Sequence, residues 1–483
     1  MTRYITTAIP YVNAAPHIGF ALEAVQADVL ARAFRGRGDA VRFLTGTDDN
    51  ALKNVLAAEE VGEPVEGFVT RHSAEFSALK GILDLSNDDF IRTREERHIR
   101  GVQKFWRACK AGDIYTKQYE GLYCVGCEEF KTEHELRDGR CLEHPARTLE
   151  RVAEENYFFR LSRYAGHLEE LIRSDKLRIL PVSRKNEMLK FIEGGLEDFS
   201  ISRSSARAKG WGVPVPDDPA QVMYVWFDAL TNYVNALGYA DDDPLFREFW
   251  AHGDAIFHMV GKGISRFHAI YWPAMLLSAG IRLPTTVFVH GYLTAGGQKI
   301  SKSLGNGVHP KMLVDRYGTD AVRYFLLREI PSAEDGDFSE DKFRARYSAD
   351  LANGIGNFAS RVLALAEPYG PVPVPGEGAV LGAIRAAQDG VRQEIDAFRF
   401  SEALMHIAGL VSFGDRRVNE TKPWERKDAQ VMGELLTVLG AAGELFLSFM
   451  PGTAEKISSA VTRAGATIMG RRLSAPLFPR ITV

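Results

Sequence analysis

The sequence predicts an α/β protein. It combines a doubly wound, mostly parallel sheet, a long insertion with a cysteine cluster, and an all-α C-terminal part. Three observations predict it. The chain opens on strand, loop, helix and strand; the same alternation resumes after residue 250; and from about residue 346 the apolar residues fall at helical spacing.

Residues 4–9 (YITTAI) are β-branched and apolar, as a buried strand requires. A turn-rich stretch runs from Pro10 to Gly19. Leu22, Val25, Val29 and Ala33 then recur at helical spacing until Gly36 and Gly38 end the helix. Val41–Thr45 reads as a second strand leading into Gly46. Ligands of such sheets bind at the carboxyl ends of the strands, which singles out loops 10–19 and 46–51. Helical pattern continues to about residue 110, and residues 115–150 are turn-rich. Ala255–Val260, a helix through Leu277, and Thr286–His290 restore the alternation. Leu435, Leu439, Ala442, Phe446 and Phe449 alternate spacings of four and three, as in a bundle helix. The Pro/Gly stretch 367–378 reads as a loop between two helices.

A length of 483 residues suits about three domains, and 45% hydrophobic with 25% charged residues is globular composition. That excludes disordered and collagen-like chains. No apolar run approaches the ~20 residues that span a bilayer. The start, MTRYITTAIP, lacks the flank and cleavage site of a secretory leader, so a cytoplasmic location is expected. The balance of 59 basic against 63 acidic residues excludes a histone-like affinity for nucleic acid, but leaves room for a local basic face. Four cysteines cannot form a disulfide framework.

Two segments carry phosphate chemistry. In AIPYVNAAPHIGF, His17 and Gly19 sit where a strand feeds a helix. Glycine allows close backbone approach, the helix end offers free N–H groups, and imidazole donates to phosphate oxygen. In GGQKISKSLGN, Lys299 and Lys302 alternate with Ser301 and Ser303 between glycines. Such a cationic loop closes over a triphosphate and stabilises charge developing on phosphorus. A third segment has the pattern of a metal site. Cys124-x2-Cys127 and Cys141-x2-His144 form a Cys3His set with knuckle spacing, fit for tetrahedral Zn2+. The other reading, two buried cysteine pairs, conflicts with the polar Gly126, Glu128, Glu129 and Arg140. With four ligands and no open position, the zinc would be structural. Cys109 lies outside the set and is expected to pack in a helix.

Together, in this order and separation, the first two segments resemble the HIGH and KMSKS signatures of class I aminoacyl-tRNA synthetases. PYVNAAPHIG, FLTGTD, YCVGC, YVWFDALTNY, FVHGY, KISKS and KPW resemble the methionyl-tRNA synthetase family along essentially the whole chain. The resemblance implies a Rossmann-type catalytic domain in two halves, 1–115 and 221–295, with a zinc-knuckle connective insertion between them at 116–220. It implies a KISKS loop and stem-contact segment at 296–345 and a helical anticodon-binding domain at 346–483. ATP, accompanied by Mg2+, would meet His17, Gly19, Gly261, Lys299, Ser301 and Lys302, with His17, Lys299 and Lys302 catalytic. Asp48 would pair with the substrate ammonium. The methionine side chain would lie among Ile9, Tyr11, Trp226, Ala229, Leu230, Tyr233, Ile264 and His268, where aromatic walls suit a polarisable thioether. Asn357, Arg361, Pro423 and Trp424 would read the CAU anticodon of tRNA(Met), an indole stacking on a splayed-out base. No appended tRNA-binding module is seen after Val483, so the dimerising extension of some relatives is not expected and a monomer is; no membrane partner is expected.

Three positions depart from the family pattern. The second signature histidine is Phe20; the Thr-Asp-Glu-His-Gly segment reads Thr47-Asp48-Asp49-Asn50-Ala51; and the GKD turn reads Gly261-Lys262-Gly263. All three surround ATP, while Asp48 and the lysine loop are kept. Loss of a phosphate-side donor typically costs ~2.7–4 kcal/mol in the transition state. Three readings follow. The first is a methionine–tRNA ligase, favoured by the anticodon residues. The second is a paralogue of specialised metabolism that passes an activated amino acid to a small acceptor without tRNA, favoured by the ATP-side departures. The third is an RNA-binding relic, opposed by the intact lysines.

Overall fold

The computed structural model describes residues 1–124, 129–131, 136–142, 147–299 and 307–481. It forms two compact units. One comprises Met1–Pro16, Gly38–Ala78 and Asn87–Val289; the other comprises His17–Arg37, Leu79–Ser86 and His290–Val483.

The first unit is built on a six-stranded sheet. Strands β1 (Thr2–Thr7), β2 (Ala40–Thr47) and β3 (Asp89–Arg92) make one side. Ala255–Gly261, Thr286–His290 and Arg178–Leu180 make the other, so β1 and Ala255–Gly261 are central neighbours. Pairing is parallel, with Ile5 facing Phe43 on one side and Phe257 on the other. Tyr4, Ile5, Thr6 and Thr7 are fully buried, which explains a strand without polar alternation. Its hydroxyls are satisfied internally: Thr7 Oγ1 donates to Thr45 Oγ1 at 2.7 Å, and Thr6 Oγ1 lies 2.7 Å from His258 Nδ1. Gly46 is needed because a Cβ there would collide with the Ile91 carbonyl of the next strand. The strand order changes direction between β1 and Ala255–Gly261, and the crevice at their carboxyl ends is where such sheets hold ligands.

Three elements differ from the sequence reading. The helical pattern before residue 110 contains β3, a strand of only four residues. Arg178–Leu180, inside the stretch read as insertion, pairs with Thr286–Phe288 as the sheet edge. The Pro/Gly stretch supplies Val372–Pro373, which pairs with Thr467–Ile468 in a small sheet amid the C-terminal helices. The other strands of the insertion are antiparallel: Ile114–Cys124 and Glu150–Phe159 pair along their length, flanked by Phe199–Ser200 and Glu129–Lys131, and the helices Ala165–Arg173 and Val182–Glu193 accompany them.

The second unit is mostly helical. Helix α1 (Ile18–Gly36) belongs to it, with Thr319–Arg328, Phe400–Thr421, Ala429–Phe446 and Pro451–Ala460. Leu435, Leu439, Ala442 and Phe446 are all buried, in keeping with the bundle spacing. At its centre Arg323, fully buried, pairs with Asp28 of α1 at 2.8 Å. It also donates to the carbonyls of Leu83 at 3.0 Å, Phe449 at 2.8 Å and Ser448 at 3.0 Å. A charge so deep persists because partners surround its donors.

Candidate active site

Asp48 sits just past the end of β2. Its N–H donates to the Pro10 carbonyl at 2.9 Å and it bridges to Tyr11, knitting together loops 10–19 and 46–51. The side chain is 2% exposed. Its Oδ1 accepts from the Asn50 N–H at 3.0 Å and the Thr93 hydroxyl at 3.3 Å, both neutral donors. The adjacent Asp49 is committed elsewhere. Arg92 holds it at 2.7 Å and the Thr47 hydroxyl at 2.8 Å; burial raises its pKa while Arg92 draws it down.

Aromatic rings stand in the same unit. Trp226 stacks on Phe267 with centroids 3.8 Å apart, and Tyr11 meets the indole edge-on at 6.5 Å. Ala229, Leu230 and Tyr233 are buried, while Ile9 and Ile264 are half-buried. Tyr233 Oη lies 2.7 Å from His268 Nε2, and His268 Nδ1 lies 3.0 Å from the Ile264 carbonyl. The carbonyl can only accept, so Nδ1 carries the proton and Nε2 accepts from the tyrosine. Burial pushes the His268 pKa down to about 4, which keeps the ring neutral. His258 is likewise held neutral by burial, with Trp272 Nε1 donating to its Nε2 at 3.2 Å. These neutral rings suit an uncharged side chain. Gly261 closes its strand and leads into the short turn Lys262–Ile264.

The phosphate-type elements lie in the second unit. His17 is the exposed N-cap of α1, and its Nδ1 accepts the Gly19 N–H at 3.0 Å. That bond fixes the tautomer when the ring is neutral: Nε2 carries a hydrogen. A Cβ at Gly19 would stand 2.8 Å from His17 Cε1, so a larger residue there displaces the imidazole. Phe20 follows in the first turn. The Ile18 N–H donates to the Val308 carbonyl at 3.0 Å, tying the start of α1 to the chain just beyond the lysine loop. Lys299 ends the short strand Gln298–Lys299, paired with Thr294–Ala295; Ser301 and Lys302 lie outside the described residues. Asp337 fastens the root of this loop. It accepts from the Gly297 N–H at 2.9 Å and the Thr294 hydroxyl at 2.8 Å, bonds that hold its carboxyl below the usual range. No sequence motif pointed to Asp337.

Cys124 closes the strand Ile114–Cys124 and Cys141 closes a hairpin with Leu136–Arg137; both are buried. Cys127 and His144 lie outside the described residues. Cys109 caps the helix Glu96–Ala108, and burial pushes its thiol up to about 12, far from thiolate character. Among the helices, Asn357 and Arg361 share Asn357–Ala366, and Arg361 binds Asp415 at 2.5 Å and Asn419 at 2.7 Å. Asp415 and Asn419 belong to Phe400–Thr421, and that helix runs directly into buried Pro423 and Trp424, which is 53% exposed. A cleft of about 450 Å3 lies alongside, lined by Asn353, Gly354, Asp415, Arg416 and Asn419.

Comparison with known proteins agrees with this arrangement. The family described as tRNA synthetases class I (M) matches residues 3–148 and 132–363. The methionine–tRNA ligase of Thermotoga maritima is 42% identical over 475 residues, covering 95% of this chain and 75% of that protein. That of Brucella melitensis is 41% identical over 507 residues, covering 99% and 97%. The solved structure of Mycobacterium tuberculosis methionyl-tRNA synthetase in complex with methionyl-adenylate superposes with a TM-score of 0.92 at 39% identity, covering 99% and 100% of the two chains. A six-stranded sheet of parallel pairs, preceding a helical C-terminal region, is thus that of a class I aminoacyl-tRNA synthetase. Within that class the chain belongs to the methionyl-tRNA synthetase family.

Proposed function

We propose that the chain is a methionine–tRNA ligase, an ATP-dependent enzyme that forms methionyl-adenylate and transfers the methionyl group to the 3′ end of tRNA(Met). The observation that carries this is the buried Asp48 carboxylate in the same compact unit as an uncharged aromatic pocket. Asp48 holds the ammonium, and Trp226, Tyr233 and His268 face the thioether with Ile9, Tyr11, Ala229, Leu230 and Ile264. The substrate carboxylate attacks the α-phosphorus of ATP and pyrophosphate leaves. A ribose hydroxyl at the tRNA end then attacks the acyl carbon and AMP leaves. His17 donates from Nε2 to phosphate, Lys299 and Lys302 neutralise it, and Gly19, Gly261 and Ser301 shape the nucleotide site. Mg2+ would supply charge neutralisation on the phosphates. Cys124, Cys127, Cys141 and His144 fit one structural Zn2+ by donor type: three thiols and an imidazole.

Asn357, Arg361, Pro423 and Trp424 are assigned to the anticodon; the exposed indole of Trp424 supports the reading, because a ring that stacks on a base must be bare. The fivefold division of the chain, a monomeric state and a cytoplasmic location complete the proposal. Among the described residues no helix is long and apolar enough to cross a membrane. The test is charging of tRNA(Met) with labelled methionine, beside methionine-dependent pyrophosphate exchange. Exchange with charging supports the ligase. Exchange without charging would favour the paralogue with a small-molecule acceptor.

A further inference from the structure

We infer that Asn50, Asp228 and His98 form a positioning relay that locks the ammonium-holding Asp48 to the wall of the side-chain pocket. The inference rests on the reading of Asp48 as the ammonium partner. Asn50 stands where the family pattern has histidine, and it is buried. Its Nδ2 faces two acceptors, Asp228 Oδ2 at 2.7 Å and the Thr93 carbonyl at 3.1 Å, so the amide can point only one way. Its backbone N–H is the group that donates to Asp48 Oδ1. Asp228, 1% exposed, lies on the helix Val225–Leu230 between Trp226 and Ala229. Its other oxygen, Oδ1, is 2.5 Å from His98 Nε2. His98 is fully buried, and Asn235 Nδ2 approaches its Nδ1 and its carbonyl, both at 3.3 Å. Asn235 is itself fixed: its Nδ2 donates to Thr231 Oγ1 at 2.9 Å, and a side chain at Gly101 would collide with its carboxamide.

The chemistry makes this more than packing. Asp228 is a buried carboxyl group whose two oxygens are met by Asn50 and His98, and removing either leaves one oxygen short of a partner. With Nδ2 of Asn50 gone, its bonds to the Thr93 carbonyl and to Asp228 are lost, and its N–H is held less firmly against Asp48. The ammonium end and the thioether end of the substrate are therefore set by one rigid connection. Asn50, Asp228 and His98 touch no substrate; they act through Asp48 and the pocket helix.

The test is pyrophosphate exchange on the full chain, measuring KM for methionine and for ATP separately, with melting temperature alongside. Asn50→Leu keeps the volume and removes the donor, and should raise the methionine KM about tenfold while the ATP KM stays within about twofold. Asn50→His restores an N–H and should recover most of that loss. A purely structural role would instead lower the melting temperature and move both KM values together, which overturns the relay. Should Asn50→Leu not fold, His98→Gln, which keeps an N–H donor, and His98→Leu, which lacks one, carry the same contrast. Asp48→Asn separates the two claims. If it leaves the methionine KM unchanged, the ammonium reading fails; if it raises KM while Asn50→Leu does not, the relay alone fails.

Discussion

Replacing Gly19 with alanine tests the phosphate-binding role of His17 without touching the imidazole. The new methyl carbon would lie 2.8 Å from His17 Cε1 and 2.9 Å from Nδ1, inside van der Waals contact. The ring must leave the N-cap, and the bond from the Gly19 N–H to Nδ1 breaks. Two costs follow. Loss of an N-cap destabilises a helix by ~1 kcal/mol, a melting shift of a few degrees at most. The larger cost is kinetic: a donor aimed at charge that grows in the transition state contributes ~2.7–4 kcal/mol, or about 100- to 1000-fold in rate. Methionine-dependent pyrophosphate exchange should therefore fall at least about 100-fold in kcat. The methionine KM should barely move, since neither His17 nor Gly19 is among the residues assigned to methionine. A variant that exchanges within about threefold of the parent would refute the reasoning, because it would mean the capped ring is not the phosphate donor.

Trp424→Ala should collapse charging of tRNA(Met) and leave pyrophosphate exchange nearly intact; equal charging by both proteins would remove the indole from anticodon reading. Acid should destabilise the fold through His268. Its folded pKa is pushed to about 4, while an unfolded histidine titrates near ~6.5. The unfolded chain then binds more protons in that window, so the stabilisation is complete above it and declines as pH falls, by about 1.4 kcal/mol per pH unit for this group. His258, shifted the same way, adds to the slope, and melting curves from pH 7.5 to 5 should be flatter for His268→Gln; an unchanged slope would contradict the assignment. Metal analysis should find one zinc per chain, lost in Cys124→Ser and Cys141→Ser but kept in Cys109→Ser; a zinc-free protein would end that proposal.

How much of this was legible in the sequence depended on whether the information is local. Helix α1 was readable because Leu22, Val25, Val29 and Ala33 mark one face and glycines mark its end. The central strands were readable because they are buried on both sides and so continuously apolar. Strand β3 was hidden, being four residues long with Asp89 and Arg92 at its ends. Arg178–Leu180 becomes an edge strand only through partners at Thr286–Phe288, more than a hundred residues on. The same holds in the site. The local motif nominated His17 and the family resemblance nominated Asp48 and Trp226, whereas Asn50 and Asp228, 178 positions apart, meet only in the folded chain. Asn50 was visible as a departure, but its partner was not. Asp337, which holds the lysine loop by its root, lies in a segment with no motif at all.

Arg323 bears on how this chain can be cut. Its guanidinium is shared among Asp28 on α1 and the carbonyls of Leu83, Ser448 and Phe449, so the last helices supply part of its solvation. A fragment ending near residue 345 would expose those donors and leave Asp28 with less of its surroundings, on the very helix that His17 caps. Anyone trimming the protein to a minimal adenylate-forming core would have to redesign position 323 and its carboxylate together. The C-terminal helices are in this respect scaffold as well as reader, and their removal would be felt first at the opposite end of the sequence.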